Sequence, residues 1–165
     1  MTVESTHIIQ RHVDYVNLLM KNAVSELLRR ASVHDSSKFV EPEKPYYDYG
    51  YAPDKQHPFG TPEYYAVKKE MAPGINHHYA NNDHHPEYFP NGMAGMSLFS
   101  IMEMAMDWLA ASDYSGREDG DIFSSVDHLQ NKFGFDDMFK SILINTYLEM
   151  REKNLLPERT FEDKV

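Results

Sequence analysis

Apolar positions recur at helical spacing almost from the start of the chain. Ile8, Ile9, Val13, Val16, Leu19 and Met20 repeat every three or four residues, and the rhythm returns through Val24, Leu27 and Leu28. This predicts an amphipathic helix with Thr6 as its N-cap. "HDSSKF" follows, and Pro42 and Pro45 then stop the regular pattern. Residues 41–62 hold five prolines and two glycines, with Tyr46, Tyr47, Tyr49 and Tyr51 among them. They read as a long Pro/Tyr-rich loop, and loops of that length in a small domain are usually functional or mobile. A short helix is predicted from Pro62 to about Met71, with proline in its first turn and Pro73-Gly74 as its end. Ser97 caps the strong helical run "LFSIMEMAMDWLAAS". After "YSGREDGD", Asp121 or Ser124 starts a helix ending at Gly134. Asp136 caps the last one, "DMFKSILINTYLEMREK", with Phe135 placed before the cap as a hydrophobic staple. No run alternates at period two, so the expected fold is all-α, with residues 1–165 as a single domain.

Composition narrows the function classes. A chain of 165 residues can bury one core. It has no cysteine, which excludes disulfides and thiolate metal ligands. There is no basic-then-apolar leader pattern and no run of ~18 apolar residues, so the expectation is a cytoplasmic protein with no membrane partner. The formal net charge of −10 suits solubility and disfavours nucleic-acid duplex binding, which relies on Lys and Arg at phosphates. An acidic protein can still receive a phosphate where a bound cation makes one site locally positive.

Three groups of residues could supply such a site. His34-Asp35, in "SVHDSSKF", sets an imidazole beside a carboxylate at a helix end; together they can ligate a divalent ion, although a local hydrogen-bonded pair explains them equally well. Glu103 and Asp107 share one face of a helix that is otherwise apolar nearly all round. A helix of that kind is buried, and two buried carboxylates need either a metal and histidines or salt bridges. Four of the nine histidines fall at 77–85, in "INHHYANNDHHPEYFP". The expected irregular backbone there can aim His78 (or His77) and His84 or His85 at one point, with Asn81, Asn82 and Asp83 orienting the rings. A polar surface turn is the plainer alternative. His7, His57 and His128 read as surface residues, and Met102, Met104, Met106 and Trp108 as core packing. The loop tyrosines could stack on a base or simply pack.

The order of these motifs resembles that of the HD-superfamily metal-dependent phosphohydrolases. His12, then His34-Asp35 with Lys38, then Asp107 is similar to the superfamily's H…HD…D, and "HDSSK" resembles its HDxxK. A closer resemblance is to an uncharacterised HD-like family of phages and bacteria, on His12, "HDSSK", "HYANNDHHPE", "EMAMDW" and "INT". The resemblance covers nearly the whole chain, and "HYANNDHHPE" is its most specific part. It implies an HD-like helical bundle holding one or two divalent ions (Mn, Fe, Co, Ni, Zn or Mg). His12, His34, Asp35 and Asp107 would be ligands of the first, and His78 with His85 or His84 would extend the set. It also implies a small-molecule phosphate substrate, a nucleotide foremost, with an oligomer possible. Asp35, Lys38, His84 and Glu103 are the expected catalytic residues: Asp35 at the attacking water, Lys38 and His84 at the phosphate oxygens, Glu103 behind the ligands.

One length stands against part of this set. His12 and His34 are 22 residues apart, which is roughly 33 Å along a straight helix at ~1.5 Å per residue. The chain has to reverse between them, with Asn22 as N-cap of a second helix, or His12 is no ligand beside His34 and the set is rebuilt from residues 78–85. A reading from another class also stays open, a non-catalytic module that binds a nucleotide or a protein and uses metal as a staple. An open coordination position separates the two, because structural sites are closed.

Overall fold

The computed structural model describes residues 3–114 and 122–157, and among them the fold is all-α. The first helix, α1, runs unbroken from Val3 to Val33. Neither Gly nor Pro interrupts it, and pairs one turn apart reinforce it, such as Gln10 with Asp14 and Glu26 with Arg29 and Arg30. The expected reversal at Asn22 and the cap at Thr6 are therefore corrected, since both residues lie inside the helix.

Residues 41–62 are more ordered than a loop. They contain α2, Lys44–Gly50, and a 3-10 turn, Pro53–Lys55. Pro45 sits in the first turn of α2, where a missing N–H leaves no bond unmade. The next helix, α3, spans Pro62–Asn81, and the Thr61 side chain accepts a hydrogen bond from the Tyr64 N–H at 3.2 Å. It passes straight through Pro73-Gly74, against expectation. A proline in a helix interior costs about 3 kcal/mol, and here packing against α2 offsets it. A Cβ on Gly74 would lie 2.6 Å from Cβ of Tyr46, and one on Gly50 would lie 2.0 Å from Sδ of Met71. Gly74 is thus a contact surface for α2 rather than a stop signal, and because α3 continues, it carries His77 and His78 on regular backbone.

Helix α4 covers Leu98–Tyr114, with Ser97 Oγ accepting from the Ser100 N–H at 3.1 Å. Met104 and Leu109 are buried, while Leu98 and Met102 are exposed, so the helix is not covered all round. Helix α5 covers Ile122–Phe133 and gives way to Gly134 at φ 69°. The alternative start at Asp121 lies outside the described residues. Helix α6 covers Asp137–Glu152, capped by Asp136 Oδ1, which accepts from the Phe139 N–H at 2.9 Å. Phe135, just before the cap, meets the Phe139 ring at 5.1 Å, one position short of the N4 partner of a strict hydrophobic staple. Leu109, Ile122 and Val126 form the core of this half, with Phe135, Leu143, Ile144 and Tyr147 against it. Trp108 stacks on Phe133.

Candidate metal centre

The C-terminal end of α1 meets the end of α3 and the middle of α4. His34 follows the last turn of α1, and Asp35 turns the chain in the left-handed region, φ 56°, which Asp tolerates better than most residues. A 3-10 turn, Ser36–Phe39, then brings Lys38 back, so that its Nζ lies 2.5 Å from Asp35 Oδ2. His78 stands in the last turn of α3, fully buried. Asn82 closes that helix, donating from Nδ2 to the His78 carbonyl at 2.8 Å and to Ser37 Oγ at 3.2 Å. The tight turn after it, with the His85 N–H on the Asn82 carbonyl, folds His84 and His85 inward, only 3% and 9% exposed.

Four buried side-chain atoms are left there without a hydrogen-bonding partner: Asp35 Oδ1 and the Nε2 atoms of His78, His84 and His85. They gather in one place. His78 Nε2 is 3.1 Å and His84 Nε2 3.5 Å from Asp35 Oδ1, and the potential ligand atoms of His78, His84 and His85 all lie within 4.8 Å of one another. An unsatisfied buried polar atom costs on the order of 1–3 kcal/mol, and four together are not an arrangement that packing would select. Ligands of one ion at ~2.0–2.1 Å stand about 3–3.5 Å apart, so these separations fit a metal. Three imidazoles and a carboxylate suit Zn, Fe, Co, Ni or Mn better than Mg, which prefers oxygen. A second trio, His34, Asp35 and His84, has ligand atoms just as close and shares two members with the first donor set. Asp107 Oδ1 adjoins it, 3.7 Å from His34 Nε2.

The outward-facing ring nitrogens are held by carboxylates. His78 Nδ1 donates to Glu43 Oε2 at 2.9 Å, and His77 Nδ1 to Glu43 Oε1 at 2.9 Å. His34 Nδ1 donates to Glu103 Oε1 at 2.9 Å, and His84 Nδ1 lies 3.3 Å from the same oxygen. This pins the Nδ1–H of His34, His78 and His84 outward and turns the Nε2 of each toward the centre. Arg30 braces the outer layer, donating to Glu103 Oε2 at 2.8 Å and to Asp83 Oδ2 at 2.7 Å.

Electrostatics divide the candidate ligands. Burial would raise the Asp35 carboxyl, but the polar side chains of His78 and His84 beside it and the Lys38 ammonium outweigh that and hold the group far below the usual carboxylate range. Burial likewise acts against Asp107, and its interaction with His34 outweighs it in the same direction. His34 is raised to about 9, first by Asp107, against the effect of partial burial and with help from Glu103. His85 is pushed down to about 3, by burial first and then by His84 and His78. It is therefore neutral at physiological pH, as a ligand has to be. Lys68 on α3 has its ammonium destabilised by burial and then by Lys38, and its Nζ lies 5.6 Å from the centre of the Tyr64 ring.

Of the residues singled out in the sequence, His34, Asp35, Lys38, His78, His84, His85, Glu103 and Asp107 come together. His12 does not, and its assignment as a ligand is corrected: it is exposed on the uninterrupted α1, 22 residues and roughly 33 Å from His34. His77 faces Glu43 and is half-exposed rather than turned to the centre. His7 and His128 are exposed, and His57 is partly covered.

Sequence reasoning missed Glu43 and Arg30. Glu43 lies in the Pro/Tyr-rich segment, where no periodicity marks it, yet it is completely buried. Arg30 left a faint trace, as a charge in line with Ala23 and Leu27 on the partly covered side of α1. Since Glu43 orients His78 from outside the ligand set, Glu43→Gln is expected to keep the fold and weaken metal binding ~10–100-fold, as losses of outer partners do. A chelator competition titration measures this, and unchanged affinity would leave Glu43 a structural acid only.

The model of a family described as a family of unknown function, DUF5662, matches residues 1–149, and the chain belongs to that family. No curated protein and no solved structure matches.

Proposed function

We propose that this DUF5662 member is a metal-dependent phosphohydrolase acting on a phosphate ester, with a nucleotide as the leading substrate class. The observation that carries the reading is the convergence of four partnerless buried atoms, Asp35 Oδ1 and the Nε2 atoms of His78, His84 and His85, with the His78 and His84 rings turned by Glu43 and Glu103. A divalent ion held there supplies an acidified water and a Lewis acid for a phosphate oxygen. The residues of the chain do the rest. Asp35, ionised, a member of the His34–Asp35–His84 trio and 3.1 Å from His78 Nε2 of the other, orients the attacking water. Lys38, held 2.5 Å from Asp35, places a cation where charge grows on the phosphate oxygens. Lys68 adds a second cation to the same neighbourhood of an acidic protein. The nucleotide itself rests on the resemblance to HD phosphohydrolases, which is analogy.

The reading as a purely structural staple is less well supported. His34, Asp35, Lys38 and Asp107 keep 22–29% of their side-chain surface exposed. That half of the site is open to water and substrate, whereas a structural site would be closed. Elemental analysis of the purified protein, followed by a phosphate-release screen over nucleoside mono-, di- and triphosphates with Mn, Co, Ni, Zn, Fe or Mg, tests the proposal. Metal bound with phosphate release supports it; stoichiometric metal with no release from any substrate favours the staple.

The pH dependence has a definite sign. An ion taking His34 Nε2 has to displace a proton wherever that group is charged, which in the metal-free protein is below about 9. Affinity at the His34 trio is therefore expected to fall up to tenfold per pH unit as pH drops from about 9. His85, at about 3, adds nothing over this range. Metal-free stability follows the opposite course. The His34 pKa is raised above its ordinary 6.5, so its contribution is complete below pH 6.5 and is lost as pH rises through about 9. Chelator competition at pH 6 to 9, with thermal melts of the metal-free protein, measures both; a flat affinity profile would remove His34 from the ligand set.

A further inference from the structure

The sequence predicts α1 as an amphipathic helix, yet most of its apolar side is exposed in the structure. Ile9, Val13, Val16 and Met20 are 51%, 43%, 42% and 62% exposed, with Ile8 and Leu19 exposed beside them. The covered stretch begins only further on, where Ala23, Leu27 and Arg30 are partly buried and Arg30 bonds to α4. These seven positions, 9 to 30, follow one another at alternating steps of four and three. That is the spacing of a coiled-coil seam, and one end of it is occupied by the chain itself while the other is bare.

We infer that the bare half of α1 pairs with the same half of a second copy of this chain, antiparallel, in a two-fold dimer. The seam is self-complementary. Its steps of four, three and four read the same in both directions, so a two-fold axis midway between Val13 and Val16 sets Ile9 against Met20 of the other copy and Val13 against Val16. Charge permits the contact. Residues 5–24 carry Arg11 and Lys21 against Asp14, a net +1, in a chain of net −10. This is a stretch where two acidic molecules can meet without strong repulsion. Area allows a partner of this size. The chain as a whole exposes 12131 Å², against roughly 8,400 Å² for a folded monomer of 19.2 kDa on the usual scaling, a margin wider than the ~800 Å² that each partner buries in a standard interface. A bare apolar patch of this extent on a monomer would invite aggregation. Arg30 and His34 lie beyond the paired segment, about 15 Å or more past Met20 along the helix, so each copy keeps its own centre.

The test uses the full chain. Sedimentation equilibrium is expected to give twice the monomer mass at micromolar concentration. Val13→Glu with Val16→Glu should give a monomer of unchanged helicity, while Leu28→Glu, 66% exposed but off the seam, should remain dimeric. The absence of cysteine permits a sharper test that needs no destabilising charge. A mixture of Ile9→Cys and Met20→Cys chains should form an intermolecular disulfide on mild oxidation. Ile9→Cys alone should not, because its two copies would stand about 16 Å apart along the helices, far outside the ~7 Å Cα limit of a disulfide. A monomeric wild type at 100 μM (on the order of any weak dimer's concentration range), a dimer indifferent to the paired Glu substitutions, or cross-linking of Ile9→Cys alone would each overturn the inference.

Discussion

Asp35→Asn is expected to abolish phosphate release and to lower metal affinity by more than ~100-fold, beyond the usual loss for an outer partner. The substitution keeps the shape of the side chain and removes its charge. Asp35 belongs to the His34–Asp35–His84 trio, and its Oδ1 also stands 3.1 Å from His78 Nε2 and 3.5 Å from His84 Nε2. Among the described residues no other carboxylate touches both halves of the site in this way. The fold should survive, because Asn is among the few residues that accept the left-handed backbone found here, φ 56°. Elemental analysis and a phosphate assay on the same sample check the two effects together. Wild-type metal content in Asp35→Asn would mean that the partnerless atoms around it serve some other purpose.

Arg30→Ala should be the most destabilising single change in the outer layer, by ~3–5 kcal/mol. Arg30 is only 11% exposed and neutralises Glu103, 12% exposed, as well as Asp83. It also bonds Glu26 and reaches Ser100. Removing it takes the guanidinium from Asp83 and leaves Glu103 with only the imidazoles of His34 and His84. For a chain of this size the loss corresponds to a drop in melting temperature of roughly 6–20 °C. Adding Glu103→Gln should recover part of it, which a double-mutant cycle would show. The effect should also reach the metal, since Glu103 orients both His34 and His84. A loss below ~1 kcal/mol would class the cluster with ordinary surface pairs.

These expectations differ in where their grounds lie. The helix starts at Pro62, Leu98 and Asp137 were legible, the first from proline in its first turn and the others from their caps, because a start signal is a local matter. Thr61, Ser97 and Asp136 each bond to an N–H three residues on, whatever the rest of the chain does. The chemistry of the ligands was legible for a similar reason: imidazole and carboxylate are the donors left to a chain without cysteine. Their grouping into one centre was suggested by His34-Asp35 and by the two histidine pairs at 77–78 and 84–85.

Contacts between distant residues decided the remainder. Pro73-Gly74 reads as a helix end in isolation, but Gly74 is where Tyr46 of α2 lies against α3. That packing extends α3 to His78 and places Glu43 behind it. Glu43 and Arg30 entered the site only when segments 35 and 73 residues apart met. His12 left it for the opposite reason. A helix that nothing interrupts keeps its two ends about 1.5 Å per residue apart. Local propensity thus settled the capped helix starts and the kinds of donor atom, whereas the full length of α3, the choice of histidines and the carboxylates that aim them depended on packing, which no window of sequence contains.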